Sequence, residues 1–286
     1  MGSPWNSISY KTLGGCLALL LLAASASHAH VEIEKQIEDL TTRIGKDPKN
    51  AALYLRRGEL YRVHRDWGAA LEDYKRAAKL DPSLSAVDLC LARMRLESGQ
   101  PGEARIAADR FLQARPEHIE GLVTRARALV KLGEGRLAAD DLTRAIELSR
   151  PPKSPLPEYY LERARALAEE GEVDQALSGL DEGIGRLGPI ITLELLAMDL
   201  ELKHKRHDAA LRRVGDTLAS WPRKETWLVK RGEILEAVGR LPEAREAFGE
   251  ARQALESLPA NRRKTKALAQ LEAEIEAALE RLSEGH

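Results

Sequence analysis

Two histidines, His204 and His207, come nearest in this sequence to a metal-binding pattern. They lie three residues apart in the segment KHKRH, so that a helix would place both imidazoles on one face. No acidic or cysteine ligand accompanies them at metal spacing, and the segment is strongly charged. The sequence also lacks a glycine-rich phosphate loop, an HExxH motif, a GxSxG elbow and a paired cysteine motif. A protein that is not an enzyme is therefore the favoured interpretation, and an exported metal-binding protein or hydrolase that uses its histidines is the alternative.

A repeat organises the rest of the chain. Six alanines follow one another at intervals of 34, 34, 38, 34 and 34 residues: Ala70, Ala104, Ala138, Ala176, Ala210 and Ala244. A period in this range indicates one small unit copied along the chain, each copy burying its apolar face against its neighbours. The period predicts a scaffold for binding.

The first copy, residues 51–84, shows the pattern of the unit most fully. Counted from Ala51, the residues that define it are Tyr54 at position four, Gly58 at eight, Tyr61 at eleven, Ala70 at twenty, Tyr74 at twenty-four, Ala77 at twenty-seven and Pro82 at thirty-two. This copy resembles the tetratricopeptide repeat, which has aromatic, small and proline residues at these positions. The resemblance implies an all-α fold: a right-handed solenoid of about six helix-turn-helix repeats with capping helices at both ends.

The six copies span residues 51–84, 85–118, 119–152, 157–190, 191–224 and 225–258. Small residues at positions eight, twenty and twenty-seven allow the helices to approach closely, and glycine at position fifteen allows a left-handed residue to end the first helix. Two copies depart from the pattern. The second has Asp88 at position four and exchanges sizes at Ala108 and Phe111, and the fifth has Glu194 at four and Met198 at eight. We expect local changes in helix packing there.

The segments outside the repeats predict caps and a leader. Residues 31–50 and 259–286 predict capping helices, which a solenoid needs because its outermost repeats otherwise expose their stacking faces. Residues 1–29 have the layout of a secretory signal, in which Lys11 precedes an apolar run and small residues follow. The run is shorter than the roughly 20 residues that a membrane-spanning helix needs. We expect a periplasmic or secreted protein with no membrane span after signal removal, and an uncleaved anchor is the alternative.

Composition limits the partners. Lys plus Arg is 44, Asp plus Glu is 45 and the formal net charge is -1, so no global basic field would attract nucleic acid. Aromatic residues make up 4% of the chain, too few for stacking platforms along a single strand. No cofactor is indicated. Without the leader Cys90 is the only cysteine, which excludes an intramolecular disulfide and favours a buried packing role over a reactive thiol.

The resemblance also implies a binding surface. In tetratricopeptide repeats the first helices of successive copies line a concave groove, and positions two, five, nine, twelve and thirteen tend to face it. Position nine reads Glu59, Arg93, Arg127, Arg165, Asp199 and Glu233. Three arginines thus lie between acidic ends.

The residue four positions after each arginine distinguishes Arg127 from the other two. Arg93 and Arg165 are each followed four residues later by a glutamate, the spacing of exposed ion pairs, whereas Arg127 is followed by Lys131. We therefore expect Arg127 to lack a partner within its helix. The alternative is that the arginines form a solvated inner face.

The predicted function is a protein-interaction scaffold that has no cofactor. Its partner is expected to be a protein or peptide with acidic groups, contacted by Arg93, Arg127, Lys131 and Arg165. Position nine lacks the asparagine of the family's carboxylate clamp, which argues against a chaperone tail as the ligand. A regulatory subunit of a neighbouring enzyme is a further alternative.

Overall fold

A computed structural model describes residues 31–149, 154–259, 262 and 265–284 of the chain. These residues form helices joined by short turns, and no strand occurs among them, which confirms the all-α prediction. The predicted leader, residues 1–29, lies outside the described residues. Across the described ranges, no helix combines the length and the apolar character needed to cross a membrane.

The chain divides into two compact units, Met1–Glu134 and Gly135–His286. In the first unit a helix over residues 31–46, here α1, precedes α2 (Ala51–Val63), α3 (Trp67–Leu80), α4 (Ala86–Glu97), α5 (Pro101–Ala114) and α6 (Ile119–Lys131). Helices that are neighbours in sequence pack against each other, and the first helices α2, α4 and α6 of successive copies also pack side by side.

The second unit contains the remaining helices. They are α7 (Gly135–Leu148), α8 (Pro157–Glu169), α9 (Val173–Leu187), α10 (Ile191–Lys203), α11 (His207–Ser220), α12 (Glu225–Ala237), α13 (Leu241–Glu256) and α14 (Lys266–Glu284). Helix α10 packs against α8, α9 and α11, so the first helices stack here as in the first unit.

Small residues lie where the helices of a copy cross. The six alanines that define the period are all 0% exposed. A Cβ atom at Gly58 would lie 2.6 Å from the Tyr74 ring, and one at Gly232 would lie 2.8 Å from the Phe248 ring. Both glycines hold position eight and both rings hold position twenty-four of their copies. The absence of a side chain at position eight therefore makes room for an aromatic ring on the second helix.

The two irregular copies keep their packing by compensating changes. In the second copy the ring of Phe111 fills the space beside Gly121 on α6, where a Cβ atom would lie 2.7 Å from it. In the fifth copy the larger Met198 at position eight packs in one cluster with the smaller Val214 at position twenty-four. The expected local changes in helix packing are thus exchanges of volume between facing positions.

Position fifteen has a positive φ in all six turns. Glycine occupies it in four copies, as the sequence predicts: Gly99, Gly133, Gly171 and Gly239. In the first and fifth copies Arg65 (φ 62°) and Lys205 (φ 59°) adopt the same left-handed conformation without being glycine. The turn therefore imposes its backbone conformation whatever residue occupies it.

Helices outside the repeats cover apolar faces in each unit. Leu40 and Ile44 of α1 are buried in a cluster with Leu53, Tyr54 and Ala77. Apolar side chains of α14 pack on the last repeat, in a cluster that contains the following α14 residues: Leu271, Ile275, Ala278, Leu279 and Leu282. Both helices act as the caps that the sequence predicts, because each buries a face that a repeat would otherwise expose.

Candidate partner-binding site

Position nine lies near the middle of each first helix. The first unit carries Glu59 on α2, Arg93 on α4 and Arg127 on α6, and the second unit carries Arg165 on α8, Asp199 on α10 and Glu233 on α12. Glu59 and Arg93 are partly buried, and the other four side chains are exposed. The predicted site residues therefore belong to both units.

Ion pairs link neighbouring repeats across this face of the first unit. Arg62 of α2 donates to Glu59 of its own helix at 3.2 Å and to Glu97 of α4 at 2.5 Å. The second carboxylate oxygen of Glu59 lies 3.6 Å from Nη1 of Arg93 on α4. Sequence spacing misses the Arg62–Glu97 and Glu59–Arg93 pairs because their members lie 35 and 34 residues apart, at positions nine, twelve and thirteen of adjacent copies.

Glu59 is the most constrained carboxylate of this network. The hydroxyl of Tyr74, which is fully buried, donates to Glu59 Oε1 at 2.5 Å. Burial alone would raise the pKa of Glu59, but the hydrogen bonds from Tyr74 and Arg62 outweigh it and hold that pKa below its ordinary value. Glu59 is therefore a fixed negative charge at neutral pH.

The sequence spacing suggested that Arg93 pairs with Glu97 of its own helix, but the structure does not show this pair among the described residues. Its guanidinium contacts Glu120 of α6 and Glu59 of α2, while Glu97 is occupied by Arg62. Neighbouring first helices bring these carboxylates to Arg93 from both sides, and they replace the partner one turn away on α4.

Arg127 is not a free cation, because it takes part in an interaction. That it lacks a partner within α6 stays a prediction. Spacing along α6 reports only partners on that helix and cannot reveal partners elsewhere. Lys131, one turn after Arg127, is exposed and makes no ion pair with any described residue. The two cations thus form an exposed positive edge on α6, next to α4, which carries Arg93.

Arg165 lies on α8, in the second unit, and is exposed. The ion pair expected from its spacing to Glu169 is not formed among the described residues. The structure therefore groups Arg93, Arg127 and Lys131 on adjacent helices of one unit, and Arg165 belongs to the other unit.

Cys90 has the packing role that the sequence favours. It is buried on α4 within the cluster of the first unit, and its thiol lies beside Glu59. Burial raises the pKa of the Cys90 thiol to about 12, with the charge of Glu59 acting in the same direction. The thiol is therefore protonated at neutral pH and is a poor nucleophile.

The two histidines of the sequence motif do not form part of a larger ligand group. His204 caps the end of α10 and is exposed. His207 begins α11, and its buried Nδ1 atom has no hydrogen-bond partner among the described residues. Within the described ranges, no three histidine, cysteine, aspartate or glutamate side chains are placed to hold one metal ion.

Known proteins share both the repeat and its fold. The tetratricopeptide repeat family model matches residues 37–85, 55–119, 123–188 and 195–259. The human general transcription factor 3C polypeptide 3 is 25% identical over 163 residues, which cover 55% of this chain and 18% of the human protein. The chain thus spans less than a fifth of the length of that relative.

Solved structures resemble the fold at low sequence identity. YrrB, described as a tetratricopeptide repeat protein with an unusual peptide-binding site, is 22% identical with a TM-score of 0.53, covering 65% of this chain and 94% of its own. PilW, a type IV pilus biogenesis factor, is 18% identical with a TM-score of 0.54, covering 70% and 91%. A tetratricopeptide repeat protein from Parabacteroides merdae is 19% identical with a TM-score of 0.53, covering 91% and 98%.

The family match covers most of the chain, and it agrees with the paired helices, the buried alanines and the left-handed turns described above. The solved structures share this fold although their sequences are at most 22% identical to this chain. The chain belongs to the tetratricopeptide repeat family.

Proposed function

We propose that this protein is a non-catalytic scaffold that binds an acidic segment of a protein partner on the first helices of its first unit. Proteins of this family commonly mediate protein–protein interactions and generally carry no catalytic activity of their own. The observation that carries the proposal is the exposed pair Arg127 and Lys131 on α6, next to α4. Like charges one turn apart disfavour the isolated helix, and an acidic ligand would relieve that repulsion.

The surroundings of this pair favour a defined binding register. Arg62, Arg93 and their carboxylate partners are tied together by cross-repeat ion pairs, so the surface beside α6 is held in one arrangement before a ligand binds. A pre-arranged surface loses less conformational entropy on binding than a mobile one. Charge complementarity with an acidic segment would contribute mainly to the association rate and to specificity.

Site-specific photocrosslinking tests the location of the site. A photoreactive residue at Lys131 should capture a partner in the cells that produce the protein, and one at Lys79, an exposed residue of α3 in the same unit, should not. The captured protein, purified, should bind the wild type more tightly than the Lys131→Glu variant. Equal capture from both positions, or equal affinity of both proteins, would contradict the proposed site.

We further propose that the protein is exported and that residues 1–29 are removed. The support is the sequence of that segment, with a short apolar run followed by small residues. Amino-terminal sequencing of protein recovered from the exported fraction should start near Ser27 or His30. An intact Met1 on membrane-bound protein would contradict the proposal and indicate an anchored scaffold.

A further inference from the structure

The second unit contains a pocket of about 580 Å³ formed by α9, α10 and α11. Its size lies within the range of pockets that hold small ligands or single side chains. The charged residues that line it are Asp181, Glu194, Glu201, Arg212, Arg213 and Asp216. Four carboxylates thus face two guanidinium groups, and the pocket lies in the other unit from the site proposed above.

The fifth copy has this pocket because it departs from the family pattern at two positions of α10. Glu194 holds position four and Glu201 holds position eleven, where the first copy has Tyr54 and Tyr61. Both glutamates are buried, at 8% and 4% exposed, although carboxylates rarely are. Two carboxylates cannot fill the space of two aromatic rings, and they need positive charge in their place.

Arg213 of α11 supplies part of that charge. Its Nε and Nη2 atoms donate to the two oxygens of Glu201 at 3.1 and 3.0 Å, and its Nη1 atom donates to Asp181 at 2.9 Å and to Glu194 at 3.3 Å. One guanidinium therefore serves three carboxylates. The bidentate contact with Glu201 is the well-formed one, and the contact with Glu194 is the longest.

Glu194 is left with too little compensation. The 3.3 Å contact with Arg213 is its only ion pair within the described residues. Burial raises the pKa of Glu194, and the charges of Asp181 and Asp216 act in the same direction, against the opposing effect of Arg213. A buried carboxylate in this state gains from any further cation that reaches it.

The walls of the pocket specify the shape of that cation. Ile184, Pro189 and Trp221 provide apolar surface next to the carboxylates. An ammonium group on a flexible aliphatic stem suits this combination, because the stem packs on apolar surface and three donors reach separate carboxylates. In the described parts of the chain these carboxylates are not grouped for a metal ion.

We propose that this pocket binds a lysine side chain of a protein partner, with its ammonium group among Asp181, Glu194 and Asp216 and its stem along Trp221. The inference rests on the proposed scaffold function for the identity of the partner as a protein. It adds a second binding site, of opposite charge preference, on α9, α10 and α11.

Indole resonances of the full chain labelled with ¹⁵N-tryptophan test the pocket with small probes. N-acetyl-lysine-N-methylamide should shift the Trp221 indole signal saturably and leave those of Trp67 and Trp227 in place. The norleucine analogue, which has the same aliphatic stem but lacks the ammonium group, should shift it little. Binding of the lysine probe should weaken as salt rises, because the contact is ionic.

Three variants complete the experiment. Asp181→Asn and Glu194→Gln should each weaken the lysine probe by about fivefold or more, since each removes a carboxylate that faces the ammonium group. Asp199→Asn is the control, because Asp199 lies on the same helix α10 and does not line the pocket. No saturable Trp221 shift, equal shifts with the norleucine analogue, or wild-type affinity in Asp181→Asn would overturn the proposal. Crosslinking from Lys131 in the first unit is judged separately, so failure of one site does not imply failure of the other.

Discussion

At the scale of single residues, the repeat turns show a backbone strain that substitution can relieve. Arg65 and Lys205 adopt a left-handed conformation that costs a non-glycine residue about 1 kcal/mol or more. We expect Lys205→Gly to raise the free energy of unfolding by about 0.5 to 1 kcal/mol, reduced by the greater freedom of glycine in the unfolded chain. Urea denaturation measures the change.

The opposite substitution is the control. Gly99 has the same positive φ, and a Cβ atom there would meet no other atom within 4 Å. Gly99→Ala should therefore destabilise through backbone strain alone, by about 1 kcal/mol. A stabilised Gly99→Ala variant would show that position fifteen is not strained.

The hydrogen bond between Tyr74 and Glu59 makes stability depend on pH. Because the folded-state pKa of Glu59 is depressed, its contribution is present above the unfolded-state pKa and is lost as pH falls through the folded-state pKa. We expect Tyr74→Phe to cost about 1 to 3 kcal/mol at pH 7, as for a hydrogen bond to a charged group, and less once Glu59 is protonated.

Thermal melts at neutral and acidic pH measure this difference. Tyr61→Phe is the matched control, because the Tyr61 side chain contacts the guanidinium of Arg57 through its ring. It should change the melting temperature little at either pH. An identical loss of stability in Tyr74→Phe at both pH values would show that Glu59 is not the partner that matters.

At the scale of helices, the close approach at position eight gives a matched pair of substitutions. In Gly232→Ala the new methyl group would lie 2.8 Å from the Phe248 ring, and we expect a loss of about 1 to 3 kcal/mol from overpacking. Gly249→Ala, on the partner helix α13, places its methyl group in open space and should stabilise by up to about 1 kcal/mol through helix propensity. Chemical denaturation should show changes of opposite sign, and equal signs would refute the assigned packing.

The cap formed by α14 is tested at Ile275, which is 1% exposed. Ile275→Ala should cost about 2 to 4 kcal/mol, because it leaves a cavity beneath the helix. Leu279→Ala, at a partly buried position of the same helix, should cost less. A smaller loss at Ile275 than at Leu279 in urea denaturation would contradict the orientation of α14.

The helices could be predicted from the sequence more fully than their charged contacts. Each small residue and each turn glycine reports a contact within one copy, so the period fixed the helix pairs and even located the irregular copies at Phe111 and Met198. The close packing of the Phe111 ring on Gly121 could not be predicted, because the two residues belong to different copies. The partners of Arg93 were missed for the same reason.

At the scale of the whole molecule, the sequence predicts six repeats with caps. The structure shows in addition that the chain divides into two compact units, which the regular period does not indicate. The boundary between the units falls after Glu134, inside the third copy, although Ala104 and Ala138 keep the usual spacing across it. The predicted cations consequently belong to both units, with Arg165 in the second. The only sign of the pocket in the sequence analysis was that Glu194 departs from the repeat pattern.

The measurement that tests the scaffold account most directly is the affinity of the crosslinked partner for purified charge variants. Arg127→Glu and Lys131→Glu should each weaken the complex by about 1 to 3 kcal/mol, and the wild-type complex should loosen as salt rises. Lys79→Glu, on α3, should bind the partner as tightly as the wild type does. The melting temperatures of all three variants should lie within a few degrees of the wild-type value. Equal affinity of the wild type and both α6 variants would contradict the claim that an acidic partner binds the first helices of this unit.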